Sequence, residues 1–178
     1  MSNITAGTWV LDPTHTEIGF TVRHIMSKVR GKFETFEGTL VTAEDITAST
    51  VSVSVDLSSI NTGTADRDNH LRSGDFFNIE THPTMTFATT GVVQKSDTDF
   101  VVTGDLKIKD ITKSVDLAVE FLGEGKDPWG GTRVGVEATT VISRKDWGID
   151  FNIPLEGDKV MIGDKITITI NAEAVLQA

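Results

Sequence analysis

Arginine and histidine are the side chains here with the widest chemical reach, and they gather in three places. The densest is RDNHLR, which sets Arg67, His70 and Arg72 within one short stretch. A guanidinium presents a planar fork of donors that suits a phosphate or a carbonyl oxygen. The cluster therefore reads as a receiver for a phosphate or a carbonyl, or else as helix-surface charge with Asp66 and Asp68 as local partners. The second place is the end of HTEIGFTVRH, where His24 shares the parity of Phe20 and Val22. Its imidazole belongs at the mouth of an interior, or is a structural group held by a hydrogen bond. His15, at the other end of that run, has the opposite parity, so the two cannot share a metal from a regular strand. The third is Arg144 and Lys145 followed by Trp147. This reads either as a cationic rim beside an aromatic or as an ordinary turn with Trp147 covering the end of the fold. His82 precedes Pro83 in what reads as a loop or strand entry, and takes no role.

Other chemistry is missing. The chain has no cysteine and no tyrosine, which removes thiolate ligands, disulfides and cysteine nucleophiles. There is no nucleophile elbow, phosphate loop or dinucleotide fingerprint. The carboxylates are scattered, and no His/Asp/Glu spacing fits zinc or iron. No metal, cofactor or catalytic residue is expected. The net charge of −10, with pI near 4.7, opposes nucleic-acid binding and opposes lying flat on an anionic membrane. No apolar run reaches the length of a transmembrane helix. MSNITAGTWVLD has neither the basic nor the apolar region of a signal peptide, so the expected location is the cytoplasm.

The elements that must position these side chains are strands. Ile18, Phe20 and Val22 alternate with Gly19, Thr21 and Arg23, the pattern of a strand with one face in an apolar interior. Val51, Val53, Val55 and Leu57 do the same, as do Met85, Phe87 and Val93. So do Phe100, Val102, Leu106 and Ile108, then Val115, Leu117, Val119 and Phe121. Val134, Val136, Ala138 and Ile142 follow, and last Ile166, Ile168 and Ile170. Phe33 and Phe36 are out of phase, which a bulge between them would reconcile. Turn signals separate the runs at AEDITAS, KSDTD, KDITK and EGKDPWGGT, with Trp129 of DPWGG packed on a barrel edge. One segment, TADRDNHLRSGDFFN, reads as helix, with Thr64 as cap and Gly74 as its end. A single domain over residues 1–178 follows, all-β and antiparallel. Alternation alone leaves a sandwich and a barrel of about eight strands both open.

Taken together and in order, LDPTHTEIGFTVRH, VRGKFETFEGTL, RDNHLRSGDFFN, HPTMTFATT, VTGDLKIKDITKSVDLAVEF and DPWGG resemble the YceI-like family from Trp9 to about Val175. The resemblance implies an extended eight-stranded antiparallel lipocalin-like barrel, with one short helix beside it and a long apolar tunnel. It further implies a long-chain isoprenoid or related amphiphile as ligand, of the polyprenyl phosphate or polyprenyl quinone type. On that reading Ile18, Phe20, Val22, Phe33, Phe36, Val53, Val55, Met85, Phe87, Phe100, Val102, Leu106, Val115, Leu117 and Val136 line the tunnel. His24, Arg67, His70 and Arg144 are the candidates for the polar head. Two alternatives carry their own discriminators. An enzyme acting on such an amphiphile needs His24, His70 and Arg67 gathered at one mouth. A filled barrel serving as an interaction module needs Phe33, Phe36, Phe87 and Phe100 to pack the interior shut. An exposed edge strand would allow a homodimer.

Overall fold

The alternating runs become eleven antiparallel strands that close on themselves. The structure is a computed structural model that describes residues 4–156 and 160–178. The strands are β1 (Gly7–Leu11), β2 (Glu17–His24), β3 (Ser27–Phe33), β4 (Phe36–Thr42), β5 (Thr50–Asp56), β6 (Ile60–Asn61), β7 (Thr84–Gln94), β8 (Asp99–Ile108), β9 (Ile111–Lys126), β10 (Thr132–Ser143) and β11 (Ile162–Leu176). The ring runs β1–β4–β5–β7–β8–β9–β10–β11 and closes through the β1–β11 pair. This is an eight-stranded antiparallel barrel.

β2, β3 and β6 lengthen the wall rather than widen it. β11 pairs with β1 through Ala174–Leu176 and with β2 through Ile162–Asn171, so β1 and β2 are two halves of one interrupted strand. β3 and β4 divide in the same way at Glu34–Thr35, and β5 and β6 at the turn Leu57–Ser59. Aspartate makes two of these breaks. Asp12 Oδ1 accepts the Thr14 N–H at 2.9 Å, and Asp56 Oδ1 accepts the Ser58 N–H at 2.9 Å. Each offers the backbone a local bond in place of the ladder. Asp45 does the same before β5, accepting the Thr47 N–H at 3.0 Å.

Phe33 and Phe36 therefore do not flank a bulge within one strand, as alternation predicts. They end one half-strand and begin the next, and the corner between them turns both rings onto the cluster of Ile18, Val55, Leu57 and Ile60. The bulges lie elsewhere. One at Thr89–Gly91 shifts the register of β7 on β8. It moves Val92 to the interior and leaves Val93 half exposed, against the phase that Met85 and Phe87 predict. Another places Leu122 outside the register between β9 and β10.

β6 pairs with β3 but not with β7, and α1 (Ala65–Arg72) lies at that gap. Arg72 ties it down, donating from Nε to the Ser58 carbonyl at 2.9 Å and from Nη2 to the Ile60 carbonyl at 3.1 Å. The helix is shorter than its sequence signal. It ends at Arg72, not Gly74, and the Thr64 side chain makes no capping bond. The side chain of the buried Asp68 instead accepts the Thr62 N–H at 2.9 Å. At eight residues α1 is no membrane span, and no helix among the described residues is long and apolar enough to cross one.

A tryptophan is buried toward each end of the barrel. Trp9 is fully buried and donates from Nε1 to Thr42 Oγ1 at 2.9 Å; Trp147 donates to the Leu106 carbonyl at 3.0 Å. Trp129 behaves differently from the edge-packed ring its turn predicts, for it is 82% exposed. Asp127 holds that turn by accepting the N–H groups of Trp129 and Gly131, so the ring contributes nothing to it. Gly104 occupies an inward position on β8, where a Cβ would lie 2.3 Å from Phe87 Cζ and 2.7 Å from the Ala88 carbonyl. Gly104→Ala is expected to destabilise the barrel by about 1–3 kcal/mol, measurable as a lower urea midpoint with an unchanged slope.

Candidate functional site

The barrel interior holds two chambers. The first, of about 210 Å³, is walled by Ile18, Val53, Val55, Phe87, Phe100, Val102, Leu106, Val115, Leu117 and Val136, among others. The second, of about 190 Å³, takes Phe20, Val22 and Phe33 from the same strand runs. Met85 and Ile168 border both, so the chambers meet at this pair. Together they fall in the lower part of the roughly 300–1,000 Å³ range of small-molecule sites. Of the tunnel residues expected from sequence, Phe36 borders neither chamber and packs behind the wall. Phe33, Phe87 and Phe100 stand along the walls and leave the interior open.

The two chambers differ in chemistry. The only polar side chains on the first are the hydroxyls of Thr42, Ser49, Thr86 and Thr140. Such a space accepts hydrocarbon and rejects a charge, since no partner there replaces water. The second collects the polar candidates: His24, Arg67, His70 and Arg144 all border it, with Arg23 at its edge. Strand β2, helix α1 and the turn Arg144–Trp147 after β10 bring them together from distant points of the chain.

Their freedom to act is unequal. The His24 imidazole makes no hydrogen bond among the described residues. Arg67 donates from Nε to Thr62 Oγ1 and from Nη2 to the Thr62 carbonyl, both at 2.7 Å, leaving Nη1 unengaged. The carboxylates of Asp66 and Asp68 are not its partners. His70 Nε2 lies 2.8 Å from Asp75 Oδ2, and the ring stands edge-on to Phe76 and Phe151 at centroid distances of 5.0 and 4.9 Å. Arg144 is not the rim cation its sequence suggests. It is 4% exposed, and its fork holds the carbonyls of Ile149, Phe151 and Gly163, each at 2.9 Å. Burial pushes its pKa down, against the opposing influence of Asp164 and Asp150.

Sequence reasoning missed much of the second chamber's lining. Ile60, Leu71, Phe76, Phe77 and Ile149 border it from the two-residue β6, from α1 and from turns, where no periodicity announces them. The FF pair in an otherwise polar segment was the available signal.

The opposite end carries the one group of three metal-capable side chains among the described residues: Asp12, His15 and Glu173. His15 stands in the turn Pro13–His15, not on β2, so the parity argument about it does not apply. Arg133 already occupies this group. Its Nη1 lies 2.7 Å from Asp12 Oδ2 and 3.3 Å from Glu173 Oε2, and its Nε 2.9 Å from Asp127. Hydrogen bonds from His15 and Arg133 hold the Asp12 carboxyl at about 2 instead of the usual 3.8. A depressed carboxylate stabilises the fold above the unfolded value and loses that contribution as pH falls from 3.8 through about 2. Arg133→Gln is expected to shift acid unfolding to higher pH, read by circular dichroism across that window.

The YceI-like domain profile matches residues 9–174. A UPF0312 protein of Azotobacter vinelandii is 37% identical over 176 residues, covering 97% of this chain and 88% of that one. The crystal structure of the Campylobacter jejuni YceI protein is 28% identical, with TM-score 0.74 over the whole of both chains. A polyisoprenoid binding domain from Saccharophagus degradans shares the fold at 16% identity. Its TM-score is 0.70, over 97% of this chain and all of that one.

Proposed function

We propose, from the premise that this chain belongs to the YceI-like family, that it binds a long-chain isoprenoid or related amphiphile. The tail occupies the first chamber and reaches past Met85 and Ile168; the head lies in the second. One observation carries this reading: an interior lined by carbon along most of its length, with its charged and imidazole groups collected at one end. The name of the Saccharophagus neighbour supports the isoprenoid class. The His24 imidazole and Arg67 Nη1 are the groups left to meet a phosphate or a quinone carbonyl. The mechanism is burial. Each methylene removed from water contributes about 0.8 kcal/mol before ordering costs, so the tail sets affinity and the head sets choice. The protein acts as a carrier, buffer or sequestering protein for such a lipid in the cytoplasm.

A second reading, an enzyme working on the same amphiphile, draws on the gathering of His24, Arg67 and His70 at one chamber. The commitment of His70 to Asp75 and of Arg67 to Thr62 weighs against it. Native mass spectrometry of the purified protein, followed by organic extraction, tests both. A stoichiometric, chemically unaltered long-chain compound is the expected result. Protein that is empty, and stays empty when offered polyprenyl phosphates and quinones, overturns the carrier reading. A converted lipid favours the enzyme.

A further inference from the structure

The β2–β3 hairpin breaks two local rules of sequence design. Its turn consists of Ile25 and Met26, between the paired His24 and Ser27. Ile25 has φ +54°, a conformation that glycine and asparagine supply readily and a β-branched residue does not. Yet Ile25 is 49% exposed and Met26 92%, so neither side chain is placed there to fill a core. Just behind the turn, Arg23 lies directly across from Lys28. Like charges in that register weaken a hairpin. Arg30 and Lys32 continue the same outward face, and none of the four makes an ion pair among the described residues. Four cations on one hairpin with no ion pair among the described residues stand out in a chain of net charge −10.

The hairpin also stands at the second chamber. Val22, Arg23, His24 and Val29 border that chamber, beside Met161, whose carbonyl accepts the Ile25 N–H at 2.8 Å. An exposed apolar tip, a collar of four cations and the mouth of a carbon-lined interior therefore lie together. Local violations that persist without a folding benefit mark functional sites.

We infer that the β2–β3 hairpin docks end-on to an anionic lipid surface, with Ile25 and Met26 entering the head-group boundary and Arg23, Lys28, Arg30 and Lys32 facing lipid phosphates. This orientation brings the second chamber to the bilayer. The acidic remainder of the surface is repelled, which disfavours a flat approach and steers the basic hairpin inward. The purpose, transfer of a lipid between membrane and chamber, rests on the function proposed above. The docking does not, because it requires only the hairpin.

The test is sedimentation of the full chain with vesicles of phosphatidylcholine alone and of phosphatidylcholine with phosphatidylglycerol, with protein as purified and after delipidation. Binding to the anionic vesicles only, released by salt, is expected. Lys28→Gln with Arg30→Gln should weaken it about 30-fold, at roughly a factor of five for each cation near the surface. Ile25→Asn with Met26→Ser should weaken it without lowering the thermal midpoint, since asparagine is at ease at positive φ. Trp129→Ser, at the other end of the 15-residue β11, should leave it unchanged. Absence of binding, equal binding to neutral vesicles, indifference to the hairpin substitutions, or loss through Trp129→Ser would each overturn the inference. A delipidated protein that still binds vesicles but accepts no lipid would separate failure of the cargo reading from failure of this one.

Discussion

Ala138→Phe is expected to lower affinity for a long-tailed amphiphile about 100-fold while the barrel stays folded. Ala138 sits on β10, paired on one side with Val119 of β9 and on the other with Ile170 of β11. The ladder on both flanks fixes its backbone, and its methyl group borders the first chamber. A phenyl ring projecting from there takes space the tail would use. Displacing three to four methylenes forfeits about 3 kcal/mol, which is about 100-fold in affinity. The ring enters existing space, so the overpacking penalty of about 1–3 kcal/mol for a filled core is at least partly offset by new apolar contact. Val141→Phe provides the comparison, because Val141 is 58% exposed on the outer face of the same strand. Titration with a fluorescent polyprenyl probe should separate the two variants, while their urea midpoints remain close to that of the parent. Equal affinity in both would mean that the tail does not run through the first chamber.

The legibility of the sequence varied from strand to strand for physical reasons. β8 alternates without interruption, so Phe100, Val102, Leu106 and Ile108 were all placed inward correctly. β7 begins equally well, but the bulge at Thr89–Gly91 reverses its phase. Nothing in TTGVV distinguishes the residue that leaves the register, so alternation puts Val93 on the wrong face. Closure of the sheet was invisible to alternation, because a side chain facing inward looks the same in a sandwich and a barrel. The combined motifs of the family supplied that choice. For the site, periodicity found the chamber walls, which are regular strand, and missed Leu71, Phe76 and Phe77, which come from a helix and a turn. The candidates for the polar head were legible as residues but not as partners. Whether a guanidinium is free or engaged depends on carbonyls such as those of Ile149 and Gly163, which carry no mark in the sequence.

Arg144 turns that distinction into an experiment. Arg144→Met is expected to destabilise the protein by about 3–5 kcal/mol, the range for removing one partner of a buried charged network. The guanidinium gathers the carbonyls of Ile149, Phe151 and Gly163, and thereby fixes the segment after β10 against the start of β11. Without it these acceptors lose their donor in a site with little access to water, at about 1–3 kcal/mol each if no water replaces it. Asp164 also loses the guanidinium 3.7 Å from its Oδ1, an atom that already lacks a hydrogen bond, and among the described residues keeps only the exposed Lys145 ammonium 3.4 Å from its Oδ2. At roughly 2–4 °C per kcal/mol for a chain of this size, the thermal midpoint falls by about 10 °C. Arg144→Lys should recover only part of this, since a single ammonium cannot reproduce a planar fork aimed at several acceptors. His24→Gln is the counterpart. Its ring has no hydrogen-bond partner among the described residues, so stability should hold while the preference among phosphate, quinone and uncharged heads changes. If Arg144→Met instead kept its stability and lost head-group preference, the guanidinium would be a ligand contact and not a strut. The polar end of the second chamber would then extend from His24 across to the turn after β10.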